Sequence, residues 1–217
     1  MSDTLTRVGT PRGVALTGTP YEEFRYFYPP QTTAKKSPEF LPLHERMGHW
    51  GQLKLNGSHS EVFVGPDRVP DAWNRHGERH RRWRFDEHTG ALFRSLPGKK
   101  WFVFDGELMH FKTPGIKNIH YLYDVLVYDG VHLTRTTYAE RYKLLKGLFR
   151  RRAETIGHYE LDDYTWLAKN HTEHLSNLFD ASREFNPTVE GLMVKDPNGI
   201  YYSGDARAWM IKFRHRG

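Results

Sequence analysis

Residues 50–64 read WGQLKLNGSHSEVFV. Two β-prone runs, WGQLKL and SEVFV, flank the turn-forming pair Asn56-Gly57, a pattern that predicts a hairpin or two adjacent strands, with Lys54 close to the end of the first. Working outward, WFVF (residues 101–104) and IHYLYDVLVY (residues 119–128) are β-branched and aromatic runs bounded by Gly, Pro and Asp, as expected of buried strands. GLMVK (residues 191–195) and AWMIKF (residues 208–213) read as two closing strands. One helix is well signalled: Thr137 and Glu140 stand at capping-box spacing, and Tyr138, Arg141/Tyr142, Leu145 and Leu148/Phe149 follow at helical intervals with basic residues opposite. A second helix is predicted over residues 163–182, with Leu167, Leu175, Leu178 and Phe179 as its apolar side. Residues 1–20, rich in Thr, Gly and Pro, read as a flexible leader. The aromatic run YEEFRYFYPP (residues 21–30) reads as a short element ending in a turn. Strands mixed with only two or three helices, and no repeats, predict an α+β domain.

Composition narrows the class. A chain of 217 residues makes one domain the expectation, and it is long enough to bury about 70% of its unfolded surface. The absence of cysteine excludes disulfides, iron–sulfur clusters and Cys-based zinc sites, and fits an intracellular, cytoplasmic protein of a cell or phage. Mean hydropathy is −0.73, and no run of residues has the length and apolarity of a membrane span or signal peptide. Thirty-two Lys+Arg against 26 Asp+Glu give a net charge of +6, and the positive charge is clustered. Arg75, Arg79, Arg81, Arg82 and Arg84 fall within ten residues beside His76 and His80, and Arg141, Lys143, Lys146, Arg150, Arg151 and Arg152 form a second group. Each cluster is either a solvated face or a track for a phosphate backbone.

Four short segments carry chemistry by their order: Lys54-Leu55-Asn56-Gly57, Asp105-Gly106-Glu107-Leu108 after WFVF, Glu190-Gly191-Leu192-Met193-Val194-Lys195, and Lys212-Phe213-Arg214. Together they resemble the nucleotidyltransferase domain of the covalent superfamily of ATP-dependent DNA ligases, RNA ligases and mRNA capping enzymes. Two further segments fit it: Asn74-Arg75-His76-Gly77, similar to a Ser-Arg-Asn-Gly element, and Tyr121 to Leu126 with Tyr128-Asp129-Gly130, similar to the aromatic-Asp-Leu-Leu strand of DNA ligases. The resemblance spans residues 52–214, about three quarters of the chain.

What the resemblance implies is specific. The fold would be a nucleotidyltransferase, ATP-grasp-like domain of mixed, mainly antiparallel sheets with flanking helices, over residues 21–217. Lys54 would be the nucleophile that becomes lysyl–AMP, with Lys212 and Arg214 stabilising the phosphates. An amine with an ordinary pKa of about 10.4 needs cations or burial to become a nucleophile at neutral pH, and these residues with Mg²⁺ (or Mn²⁺) would supply them. Glu190 would hold the metal, with Glu107 on the ribose or a second metal ligand. Gln52, with the backbone at Leu53, would read the adenine edge, and Tyr123, or Tyr121 on the same strand face, would stack on the base; core packing is the competing reading for either ring. Lys195 and Lys212 would contact phosphate oxygens, and Arg75 the ribose or a nick 5′-phosphate. Asp105 reads as structural. His59, Arg75, Arg79, Arg81, Arg82, Arg84, Arg150 and Arg151 would meet the nucleic acid.

Asn56, His59 and Arg214 depart from the family pattern, which usually has Asp, Arg and Lys there. Only three residues follow Arg214, too few for a C-terminal OB-fold, so the expectation is a lone nucleotidyltransferase domain: either an excised catalytic domain or a minimal ligase that grips its substrate with the core itself. The implied activity is nick sealing by an ATP-dependent, monomeric polynucleotide ligase in DNA repair or replication, acting on a nicked duplex with DNA favoured as acceptor. RNA or mixed RNA/DNA acceptors, and a non-catalytic nucleic-acid-binding module, are the alternatives.

Overall fold

A computed structural model of the chain describes residues 16, 18–113, 115–185, 187–201, 204–205 and 209–215. The leader expected over residues 1–20 thus lies mostly outside the described residues. In chain order the elements begin with β1 (Pro30–Gln31), α1 (Leu41–Arg46), β2 (Trp50–Leu55), β3 (Ser58–Val64), β4 (Pro70–Trp73), α2 (Ala91–Arg94), β5 (Phe102–Met109) and β6 (Ile119–Tyr128). They continue with β7 (Val131–His132), α3 (Tyr138–Leu148), β8 (Ala153–Glu154), β9 (His158–Glu160), β10 (Thr165–Ala168), α4 (Leu175–Ala181), β11 (Val189–Lys195), β12 (Gly204–Asp205) and β13 (Met210–Arg214).

The strands form an eight-stranded sheet of order β4-β3-β5-β6-β10-β9-β8, with β7 also on β6, a three-stranded sheet β13-β11-β2, and the short pair β1-β12. Pairing is antiparallel except for β6 with β10 and β1 with β12, so the α+β class and the mainly antiparallel sheets stand as expected.

The hairpin reading of residues 50–64 is corrected. β2 and β3 are consecutive but belong to different sheets, and the reversal at Asn56-Gly57 is where the chain crosses between them. The turn is tied sideways instead of across: the Asn56 amide donates to the Thr188 carbonyl (2.9 Å), and the Asn56 carbonyl accepts from the Thr113 hydroxyl (2.7 Å). A side chain at Gly57 would collide with Glu107, Met109 and the Leu108 carbonyl of β5, so the entry of the chain into β3 beside β5 needs glycine here. This crossing sets Lys54, on one sheet, against Glu107, on the other.

The helix predicted over residues 163–182 is also corrected. Thr165, Trp166 and Leu167 lie instead in β10, slotted between β6 and β9. Their β-branched and aromatic side chains suit a central strand, and pairing on both edges outweighs the helical spacing of the leucines. Helix begins only at Leu175, after His174 takes a left-handed φ of 58°.

The capping box forms as read: Thr137 accepts from the Glu140 amide, and Glu140 Oε2 accepts from the Thr137 amide at 2.8 Å. Leu144, Leu145 and Leu148 of α3 then bury against Phe104, Leu122 and Val125 of the large sheet, each contributing about 1.5–3 kcal/mol over exposure. A second core, Leu53, Leu55, Leu192, Val194, Ile211 and Phe213 with Leu175, Leu178 and Phe179 of α4, backs the small sheet.

The basic face assigned to α3 needs a further correction, because Arg141 is fully buried. Its Nε and Nη2 donate to Asp124 Oδ1 and Oδ2 at 2.8 and 2.9 Å, a two-pronged ion pair closed off beneath the rings of Tyr138, Tyr201 and Trp209. Nor do Arg150, Arg151 and Arg152 continue the helix, since Phe149 ends it with an extended backbone. The run at residues 21–30 forms no regular element before β1; Tyr21 buries its ring against Phe27 and Trp101.

Candidate active site

A cavity of about 860 Å³ opens between the two sheets. From the small sheet it is lined by Gln52, Lys54, Glu190, Lys195, Lys212 and Arg214, and from the large sheet by His59, Asp105, Glu107, Tyr121, Tyr123 and Asp124. Five of the six ordered segments therefore converge here, and Arg75 of the sixth lies exposed on the rim.

Strand register brings the reacting groups together. Gly191 of β11 sits across from both Lys54 of β2 and Arg214 of β13, so Glu190 stands between two cations. Its Oε2 lies 2.7 Å from Lys54 Nζ and 3.0 Å from Arg214 Nη2. Lys212, two residues before Arg214, is held below the ordinary lysine range by burial, reinforced by Lys54, Arg214 and Lys35. Gly191 has a φ of +135°, and a side chain there would strike the Phe213 carbonyl. Its glycine is what lets β11 run against β13 at this point.

Deeper in the cavity, burial brings Lys195 down to about 8, although Asp124 and Asp105 pull it the other way. Its ammonium lies 4.7 Å from the Tyr123 ring centroid and 4.4 Å from that of Tyr138. Tyr123 is half-buried with its ring toward the cavity, whereas Tyr121 is buried and its hydroxyl donates to the Leu53 carbonyl at 3.3 Å. Of the two rings left open by strand alternation, Tyr123 is the one free to stack. Gln52 is buried and its Nε2 donates to the Tyr138 hydroxyl at 2.6 Å, so this donor is already engaged. Glu107 is pushed above the carboxylate range by burial, against the opposing pull of His59, Lys54 and Lys112.

The expected nucleic-acid residues divide. His59 is turned inward, 2.7 Å from Asp105 Oδ1. Arg79 is spent on Asp71 at 2.6 Å and on the Trp73 ring, Arg81 faces Glu78 at 3.6 Å, and Arg84 donates to the Trp83 carbonyl. Arg82, Arg150 and Arg151 are exposed, and the last stacks over Tyr159, away from the cavity lining. Sequence reading missed Thr32, Thr33 and Lys35, which line the cavity from the segment after β1, and the pairing of Asp124, on the cavity wall, with the buried Arg141. The pair Lys35-Lys36 was the available signal for the first; for the second it was the place of Arg141 at the apolar spacing of α3, which sets it on the buried face.

The comparisons with known proteins point the same way. Residues 112–214 match the profile of the ATP dependent DNA ligase domain. The chain also aligns with the ligase domain of LigD from M. tuberculosis at 17% identity and a TM-score of 0.63, over 88% of this chain and 61% of that one. The fold is that of a ligase nucleotidyltransferase domain. A mycobacterial DNA ligase D with ATP (16% identity, TM-score 0.59, 92% and 61% covered) and a Lig E DNA ligase (16%, 0.52, 86% and 68%) share it. The chain thus spans about three fifths of the ligase D chains it matches. No curated protein matches it by sequence. The matched segment holds Tyr123, Glu190, Lys195, Lys212 and Arg214 of the ligase nucleotidyltransferase fold, while Lys54, His59, Arg75 and Glu107 lie before it. Among the described residues no helix is long and apolar enough to cross a membrane.

Proposed function

We propose that the protein is an ATP-dependent polynucleotide ligase that seals 5′-phosphate/3′-hydroxyl nicks, with DNA as the favoured acceptor. The observation that carries this reading is the placement of Lys54 Nζ on the cavity wall, 2.7 Å from Glu190, among Lys212 and Arg214. A primary amine, a carboxylate within proton-transfer distance and two further cations are what attack on a phosphoanhydride requires.

In the first step the Lys54 amine forms a bond to the α-phosphorus of ATP, the bond to the bridging oxygen breaks, and pyrophosphate leaves. Glu190 is in reach of the proton that the amine gives up. Lys212 and Arg214 neutralise the departing phosphates, and Lys195 faces the α-phosphate oxygens with Tyr123 beneath the adenine. The 5′-phosphate of a nick then takes the adenylyl group from Lys54, and the neighbouring 3′-hydroxyl displaces AMP to form the phosphodiester. These are in-line transfers, so the residues act by positioning and charge.

Glu190 and Glu107 offer oxygen donors into the same cavity, the set that suits Mg²⁺ or Mn²⁺. Such an ion would neutralise phosphate charge when bound. Arg75, at the rim, and the exposed Arg82 are the side chains best placed to meet a nicked duplex, with phosphate contacts supplying sequence-independent affinity. Supporting a small substrate-gripping core, the matched Lig E structure is itself described as DNA binding with a minimal scaffold.

The test is a labelled-nucleotide assay followed by sealing. With α-labelled ATP, the protein should acquire a denaturation-resistant label that passes to nicked DNA, and Lys54→Ala should acquire none. Label from GTP in preference to ATP, or sealing of RNA nicks alone, would replace this reading; salt-sensitive nucleic-acid binding with no label at all would leave only a binding module.

A further inference from the structure

Beneath the cavity, where β3 and β5 pair, the large sheet carries polar side chains at positions its pattern reserves for the core. Glu61 lies opposite Asp105, and His59 opposite Glu107. His59, Glu61 and Asp105 each present one donor atom, and these atoms all lie within 4.8 Å of one another. Glu61 is 0% exposed, and neither of its oxygens has a hydrogen-bond partner among the described residues. The Phe27 amide lies near it, outside hydrogen-bonding geometry. Among the described residues Glu61 also forms no ion pair, and the charge that acts on it is that of another acid, Asp105. His59 Nδ1 is likewise buried and unpartnered, while Nε2 is held by Asp105 Oδ1 and the Tyr201 hydroxyl donates to Oδ2 at 3.1 Å.

Two carboxyl groups enclosed side by side, one of them with no partner, take up either a proton or a cation; without a cation, burial and the neighbouring Asp105 push Glu61 up to about 10. Among the described residues, the groups that feel Glu61 include the phenols of Tyr21, Tyr26 and Tyr201, and no ammonium or guanidinium acts on it. We propose that His59, Glu61 and Asp105 form a binding site for one divalent first-row transition ion, separate from the Glu190 and Glu107 carboxylates. One imidazole and two carboxylates favour Mn²⁺ or Zn²⁺, because an imidazole nitrogen is a poor ligand for Mg²⁺. Donors around such an ion stand about 3–4 Å apart at metal–ligand distances of about 2.0–2.2 Å, so the observed spread closes with small side-chain shifts. His59 and Asp105 also line the cavity, which gives the ion an entry path. The site ties β3 to β5 directly behind Glu107, and the His59 that replaces the family's arginine is the residue that makes it.

The inference does not depend on adenylyl transfer. Titration calorimetry of the Glu190→Gln protein and of the parent, both without nucleotide, should show the same one tight Zn²⁺ site per chain, with Mg²⁺ binding there far more weakly. Glu61→Gln and His59→Gln should each weaken the ion at least about 10- to 100-fold, and Glu190→Gln should leave it unchanged. Should either variant fail to fold, X-ray absorption on the parent protein with Zn²⁺ provides the second reading, expected to report one nitrogen donor among oxygens at about 2.0–2.2 Å. No saturable binding, binding indifferent to Glu61 and His59, or binding lost in Glu190→Gln would each overturn the site.

Discussion

Replacing Asp124 by Asn keeps its shape and removes one charge of the pair that α3 buries against β6. The partner Arg141 is 0% exposed, and Asp124 is 1% exposed. Two charge-assisted hydrogen bonds of 2.8 and 2.9 Å join them, with the Val125 amide on Oδ1 as well. Breaking one side of such a pair leaves an uncompensated guanidinium in an apolar setting and costs about 3–5 kcal/mol. For a chain of this size that lowers Tm by roughly 6–20 °C. The effect reaches the site, since Asp124 is the main carboxylate holding the pKa of Lys195 up, so the variant should push it further below about 8. Differential scanning calorimetry measures the first effect. A double variant, Asp124→Leu with Arg141→Met, removes both charges and should recover most of the loss, because well-packed apolar residues replace a buried pair at little cost. A Tm within 2 °C of the parent in Asp124→Asn would refute the claim that this pair is desolvated.

Three further outcomes follow from single sites. Lys195 is depressed to about 8, so it is charged below that pH and neutral above it; metal-free nucleotide affinity should fall by up to about tenfold per pH unit as pH rises past 8, and Lys195→Met should flatten the titration curve. Gly191→Ala forces a side chain into φ +135° against the Phe213 carbonyl, and chemical denaturation should show a loss of at least about 1–3 kcal/mol with the β11–β13 edge losing amide protection first. Thr137→Ala removes one half of the α3 capping box and should cost about 1 kcal/mol, a Tm drop of about 2–4 °C.

Where local chemistry was self-contained, the chain declared its structure. The strand over Ile119–Tyr128 and the helix start at Thr137 were legible because an unbroken β-branched, aromatic run and a capping box need no distant partner. The Asn56-Gly57 turn was legible as a turn but not as a sheet crossing, since the deciding contacts come from Thr113 and Thr188, more than fifty residues away in sequence. β10 was misread as helix for the same reason: its leucine spacing is helical, and only pairing with β6 and β9 selects the strand. Of the site, the ordered short segments meet at one cavity, because most of them sit at strand positions that the sheet register aligns. Burial of Glu61 was illegible, and so was the partner of Arg141, since a charged residue carries no mark of which distant group, or ligand, meets it inside the fold.

The central claim concerns one covalent bond. Peptide mapping by tandem mass spectrometry, after incubating the protein with ATP and a divalent ion and quenching in denaturant, should find one adenylyl group on the peptide that contains Lys54 and on none in Lys54→Arg. An adenylyl group carried at another residue, or a protein that binds ATP in this cavity yet never becomes modified, would contradict the account.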